Sequence, residues 1–468
     1  MNRAILPIIV LFSTLSAASV LPSSPNGQMV QEYLDAFNSG EPAMRAYYQA
    51  HPSGPPVEER LERYRKTKAD FGSLTALRLV RDEPGSLEVV VSTADRRELN
   101  ITFMIGGEKP EIRGLRFVAG GGPGEGMPPA PAPQGGSSDG PNDEKSILHR
   151  IQDLAGAKSK AGEFSGTVLI ARGADVLWQG VYGLANREKN IPIQLDTRFD
   201  VGSIAKAFTR VAIGQLMEQG KLKLTDKVGQ FLPDYPNATV REQVTIQQLL
   251  EMRSGIGDFF GEKLQKANRQ NIRTLRDYLP LFANDPLWFA PGTSERYSNG
   301  GYIVLGLIIE SVTGESYYDY VRKNVFERAG MKDSSFAIRT ADDPKRAVGY
   351  TSEAAPGSTS KTLHPNLEIL PARGSSAGSA QCTAVDLLQF AQALADGKLL
   401  SRDSLEKVDL HPFGMGIAGG AVGINASLDT GVESAGQVTY SVVVLSNLDP
   451  PSAERLSEEI RNQLSHVK

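Results

Sequence analysis

Between Ala119 and Asp143 the chain turns over almost entirely to Gly, Pro, Ser and Ala, with almost no large apolar side chain. Such a stretch cannot bury a core and reads as a flexible tether. The segments on its two sides are therefore expected to fold separately. A length of 468 residues suffices for two or three domains. A tether at 119–145 leaves residues 27–118 as a small domain and 146–468 as a large one.

The segment Met1 to Ala18 carries one positive charge, an apolar stretch and small residues near a plausible cleavage point, the pattern of a secretory signal. Its apolar part is shorter than the roughly 20 residues needed to cross a bilayer. Cleavage and a secreted or periplasmic location are therefore expected over retention as an anchor, and no later segment reads as a membrane span. In the small domain, Gln28 to Tyr48 and Val57 to Phe71 have helical patterning, and Ser73 to Val80, Leu87 to Ser92 and Glu98 to Met104 read as strands. This piece resembles an α+β domain of the nuclear-transport-factor-2-like kind, which implies a ligand pocket or an assembly surface. Asp35 and Glu41 read as helix-surface charges. A formal net charge of −4 and the absence of any basic cluster exclude nucleic-acid binding as an expectation. Cys382 is the single cysteine, so no internal disulfide forms; it reads as a buried thiol.

Chemistry concentrates after the tether. Ser203-Ile-Ala-Lys206 places a hydroxyl and an amine one helical turn apart, and residues at i and i+3 share a helix face. On a buried face, desolvation disfavours the ammonium form, and the neutral amine becomes a base for the hydroxyl. The same spacing occurs at Ser358-Thr-Ser-Lys361 and Ser404-Leu-Glu-Lys407. Ser358 sits in a Gly/Ser/Thr-rich loop, and Ser404 opens a short polar helix. Only Ser203 leads into a long apolar helix, with Phe208, Val211, Ala212, Gln215 and Leu216 at helical spacing and Gly220 as a stop signal.

Tyr297-Ser-Asn299 follows Pro291-Gly-Thr293 and precedes the apolar run Ile303 to Ile309. A phenol and an amide presented from a turn before a buried helix can face a nucleophile. Tyr297 would relay the serine proton to the leaving group, and Asn299 would donate to an acyl or amide oxygen. Tyr235-Pro-Asn237 matches the same short pattern but reads as a surface turn.

With these motifs in place, residues 146–468 resemble the serine beta-lactamase and penicillin-binding-protein superfamily, in particular its class C-like branch with esterases and D-aminopeptidases. The resemblance runs through Phe199-Asp-Val-Gly-Ser-Ile-Ala-Lys206, Leu249-Leu-Glu-Met-Arg-Ser-Gly-Ile256, Gly374-Ser-Ser-Ala-Gly378 and Val442-Val-Val-Leu-Ser-Asn447. It implies an acylated serine at Ser203, its partner base at Lys206, and the second motif at Tyr297 and Asn299. The implied fold is α+β, an antiparallel sheet packed by terminal helices with a helical subdomain. The strands expected at 166–172, 176–185, 421–428 and 437–447, with helices between, fit that arrangement.

The third family motif, a Lys or His followed two residues later by Gly, is where the chain departs. Aligning Gly414-Met-Gly-Ile-Ala-Gly-Gly-Ala-Val-Gly-Ile-Asn425 on its glycines puts Ile417 at the basic position, with Gly419 closing the motif. The resemblance then implies the backbone N–H groups of Ser203 and Gly420 as the oxyanion hole. The cation that would receive a substrate carboxylate is missing. His411 has the wrong spacing to replace it and reads as an exposed turn residue.

None of the five histidines pairs at metal-ligand spacing, no Gly-x-Ser-x-Gly elbow surrounds Ser203, and no phosphate-cradling loop appears. The expectation is a cofactor-free, metal-free serine hydrolase acting on a small-molecule or peptide-like ester or amide. The alternative is a secreted binding or sensor protein that keeps the hydrolase fold with weak turnover, motivated by the missing cation and the additional domain. The intact Ser203, Lys206, Tyr297 and Asn299 weigh against it.

Overall fold

The computed structural model describes residues 21–22, 24–51, 57–83, 86–94, 98–106, 111–119, 142–340, 342–352 and 362–468. The signal at Met1 to Ala18, nearly all of the tether, and Ser358 with Lys361 lie outside the described residues. The chain divides into two compact units, Met1–Ser138 and Asp139–Lys468.

In the first unit, helices Pro25–Ser39, Glu41–Ala50 and Val57–Phe71 precede four strands, Leu74–Glu83, Ser86–Thr93, Glu98–Gly106 and Glu111–Ala119. The strands pair in sequence order as an antiparallel meander. Ser24 caps the first helix through the Gly27 N–H at 3.1 Å. The helical stretch expected from Gln28 to Tyr48 is two helices, because Gly40 adopts φ 105°. Alternation in the second strand buries Leu87, Val89 and Val91 against Val30, Leu34 and Phe37 of the first helix. The last strand goes beyond the sequence expectation, since Glu111, Arg113, Gly114 and Arg116 interrupt its apolar pattern.

The second unit is built on a five-stranded antiparallel sheet in the order Gly416–Ala421, Ile424–Glu433, Thr439–Ser446, Gly166–Arg172, Asp175–Tyr182. Strand alternation sends Val442 and Val444 to one face, where helices Glu144–Lys160 and Ser452–Leu464 cover them with Ile147, Ile151, Leu456 and Ile460. Val443 and Leu445 point to the opposite face and join the core of the helical region. That region is organised around three long apolar helices, Ala205–Glu218, Asn299–Thr313 and Ala384–Ala395. The fold is the expected α+β architecture, with one difference at the sheet edge. The run Ala421 to Leu428, read as one strand, turns at Val422-Gly423, where Gly423 takes φ 69° and closes a two-residue hairpin.

Candidate active site

The backbone enters the site along Phe199–Asp200, paired with Gln381–Cys382, and passes through a single 3-10 turn, Gly202–Ile204, into the helix Ala205–Glu218. Gly202 has φ 51°, and a Cβ there would lie 2.8 Å from both the Gly419 carbonyl carbon and the Gly420 nitrogen. Only glycine permits this approach. The turn is braced from behind: Asp200 Oδ1 accepts from the Gly202 N–H at 3.0 Å, and Asp200 Oδ2 accepts from Arg339 Nη2 at 2.6 Å. The Ser379 N–H donates to the Gly202 carbonyl at 2.9 Å.

Ser203 thereby stands at the mouth of the buried helix, and Lys206 lies 6% exposed one turn along it. Lys206 Nζ is 3.1 Å from Ser203 Oγ and 2.7 Å from Asn299 Oδ1, and it also donates to the Ala377 carbonyl. Burial dominates its titration and lowers the pKa to about 7, with the Asp258 charge raising it and the Arg210 charge adding to the depression. Near neutrality a large fraction of Lys206 is therefore free amine, the form that can accept the Ser203 proton.

The second motif meets this pair because Ser298 caps the helix Asn299–Thr313 through the Gly301 N–H at 2.9 Å, leaving Tyr297 outside the helix and Asn299 on its first turn. Tyr297 Oη is 2.5 Å from Ser203 Oγ, and Lys206 Nζ lies 4.7 Å from the centre of the Tyr297 ring. Tyr297 sits on the cleft rim, 51% exposed. Desolvation of the part that faces the protein raises its pKa, the Ser203 hydrogen bond opposes this, and the Asp258 charge adds to it. The phenol is thus protonated at neutral pH, a proton carrier more than a primary base. Asn299 is oriented without ambiguity: its Oδ1 accepts from Lys206, and its Nδ2 donates to Asp258 Oδ2 at 2.8 Å. Asp258 Oδ2 also accepts the Asn299 backbone N–H at 3.1 Å. One amide hydrogen of Asn299 is therefore committed to Asp258, and the residue also serves as a bridge that fixes Lys206.

Asp258 carries no signal in the sequence. It lies in the irregular segment after Ser254 and is 41 residues from the group it anchors, so no spacing rule reaches it.

The strand Gly416–Ala421 supplies the remaining side. Thr430 N–H donates to the Met415 carbonyl at 2.7 Å, and the ladder alternates from there to the Val422-Gly423 turn. Gly419 thus pairs inward with Ala426, and the backbone groups of Gly420 face the open edge of the sheet, beside Gly202. Gly419 itself is buried, and a Cβ on it would lie 2.7 Å from the Ser203 nitrogen. The Ser203 and Gly420 amides are therefore held side by side. Ile417, on the same face of the strand as Gly419, is partly buried and packs against the main core. His411 is exposed, 3.3 Å from Asp409.

These groups open into a cavity of about 760 Å³ whose lining includes Ser203, Tyr297, Asn299 and Gly420. Phe259, Phe260, Leu264, Ile369 and Leu370 give it an apolar wall. Elsewhere, Ser404 is buried inside the helix Arg402–Lys407, whose cap is Ser401. Tyr235, expected on a surface turn, is 3% exposed, and Asn237 caps the helix Ala238–Gln243. Cys382 is fully buried, which pushes its thiol pKa up.

The Beta-lactamase family profile matches residues 151–463. PbpX of Bacillus subtilis (strain 168), which carries a penicillin-binding-protein name, is 34% identical over 273 residues, 58% of this chain and 65% of that protein. A second Bacillus subtilis penicillin-binding protein is 31% identical over 267 residues, 55% of this chain and 58% of its own length. The chain thus spans less than two thirds of these relatives. Among solved structures, a penicillin binding protein from Bacillus halodurans superimposes with a TM-score of 0.57 at 31% identity, covering 67% of this chain and 98% of that one. EstCE1, a hydrolase with promiscuous acyltransferase activity, shares the fold at a TM-score of 0.55 and 23% identity, covering 69% and 99%.

Proposed function

The chain belongs to the beta-lactamase family of serine hydrolases, and from that premise we propose that it cleaves ester or amide bonds through an acyl-enzyme on Ser203. The observation that carries this reading is the position of Ser203 Oγ, 3.1 Å from the amine of Lys206 and 2.5 Å from the phenol of Tyr297, with the Lys206 pKa lowered to about 7. Neutral Lys206 takes the Ser203 proton as Oγ attacks the substrate carbonyl. The Ser203 and Gly420 amides stabilise the oxyanion. Proton return through Tyr297 to the leaving oxygen or nitrogen breaks the scissile bond and leaves the acyl group on Oγ. Water then repeats the attack with the same proton carriers, releasing the acid and restoring Ser203.

Ile417, at the position where the superfamily resemblance implies Lys or His, supplies no charge beside the oxyanion donors. The reading therefore favours esters and uncapped amides over penicillins, whose carboxylate would be sought at that position. The export pattern of Met1 to Ala18 supports a substrate met outside the cytoplasm.

Labelling with a fluorophosphonate, then mass spectrometry of the modified peptide, tests the assignment. The adduct is expected on Ser203, and Ser203→Ala should abolish it and lower turnover of an activated ester by at least ~1000-fold. Near-normal turnover by that variant removes the acyl-enzyme. A sensor protein, in contrast, would label at Ser203 yet show no sustained release of acid.

A further inference from the structure

The cleft lining holds a further charged feature, on the segments that meet beside the site hairpin. Asn366 Nδ2 donates to the Val422 carbonyl at 2.8 Å, tying the start of the strap 366–372 to the site hairpin. Further along, the Glu368 carbonyl accepts from Arg269 Nη1 at 2.9 Å, and the Ala372 N–H donates to the Arg269 carbonyl at 3.0 Å. The strap therefore carries Ile369 and Leu370 from the hairpin to Arg269, which also lines the cavity.

Among the described residues two arginines line the cleft, and they differ in kind. Arg339 is neutralised by Asp200 at 2.6 Å, and its side chain is 3% exposed. Arg269 makes no ion pair among the described residues, and its Nε is buried without a hydrogen-bond partner. Arg373, the other cation near this sequence region, is occupied elsewhere: its Nε donates to the Phe336 carbonyl at 2.5 Å, and its guanidinium stacks 3.5 Å from the Tyr318 ring centre. A guanidinium in an apolar cleft with spare planar donors is suited to a carboxylate, which accepts from two N–H groups at once.

We propose that Arg269 is the specificity residue for a substrate carboxylate separated from the scissile carbonyl by an apolar spacer. The spacer lies along Phe259, Phe260, Leu264, Ile369 and Leu370, the acyl carbon sits at Ser203, and the distal carboxylate reaches Arg269. This rests on the reading of Ser203 as the acylated residue, and it places anion recognition at Arg269 and not at Ile417 of the strand Gly416–Ala421.

The test uses two aryl esters of matched length on the full chain, p-nitrophenyl hexanoate and the mono-p-nitrophenyl ester of adipic acid. Their kcat/KM ratio is compared in the native protein, Arg269→Gln and Arg269→Lys. The native protein should prefer the carboxylate ester by roughly 10- to 150-fold, the range of one charge-assisted hydrogen bond. Arg269→Gln should bring the ratio close to one, and Arg269→Lys should recover part of it. Because the ratio is taken within each variant, loss of folded protein cancels. Equal hydrolysis of both esters by the native protein, or a preference unchanged in Arg269→Gln, overturns the Arg269 assignment while leaving Ser203 in place. If neither ester acylates Ser203, the acyl-transfer reading falls and this assignment falls with it.

Discussion

The pH dependence of acylation exposes the base directly. Burial lowers the Lys206 pKa from the ordinary lysine value of 10.5 to about 7, which corresponds to about 5 kcal/mol against charging the amine in place. At neutral pH an unperturbed lysine would be free amine in only about one molecule in 3,000, whereas Lys206 is so in about half. Desolvation thus raises the population of competent enzyme by roughly 1,000-fold. Since the deprotonated form is the active one, the rate should climb with pH through about 7 and level off above it. The assay is a stopped-flow burst of p-nitrophenol from p-nitrophenyl acetate between about pH 5 and pH 9.5, corrected for spontaneous hydrolysis. Asp258→Asn provides the second arm. The Asp258 carboxylate raises the Lys206 pKa, so its neutralisation should move the inflection to lower pH, while the amide oxygen introduced by the substitution can still accept from Asn299. A rate that is still climbing steeply at about pH 9.5 with no inflection near 7, or an inflection that ignores Asp258→Asn, would refute Lys206 as the base. The depressed pKa also fixes a sign for stability: between about pH 7 and pH 10 the unfolded chain holds a proton on Lys206 that the folded chain lacks, so this residue's contribution to stability increases with pH there.

Gly202→Ala should lower kcat for an activated ester by about 100-fold or more, because a methyl group 2.8 Å from the Gly420 nitrogen forces the two oxyanion donors apart; a variant with native kcat would show that their spacing is not critical. A chain beginning at Asp139 should fold and retain fluorophosphonate labelling at Ser203, since every group assigned to the site belongs to the second unit. A soluble, folded but unreactive fragment would show that the first unit contributes to the site.

The proximity of Ser203 and Lys206 is legible in the sequence because both lie on one helical turn, where chain spacing is spatial spacing. Tyr297 and Asn299 are legible because a cap residue and an apolar run mark the start of their helix. Asp258 is not, since its carboxylate reaches Asn299 across a non-helical loop whose course depends on tertiary packing. The fold shows the same division. Val57–Phe71 and Ser452–Leu464 begin and end where their patterns do. The edge hairpin is hidden because Ala421, Val422 and Ile424 read as one apolar run, although Gly423 is the turn signal that interrupts it. Tyr235 misleads for a related reason: a Pro-Asn turn fixes the backbone direction but does not say whether the preceding ring is covered.

The crossing of Gly202 over Gly419 and Gly420 also limits how this site can diversify. Main-chain atoms occupy that contact so closely that side-chain variation has almost no room there, and the part of the site proposed to receive the developing charge is nearly closed to point mutation. The strap 366–372 and the segment from Phe259 to Arg269 face the same cavity with ordinary side chains. Heritable change in substrate range is therefore channelled to that wall, and a library that randomises it should yield new selectivities with the reactive serine undisturbed.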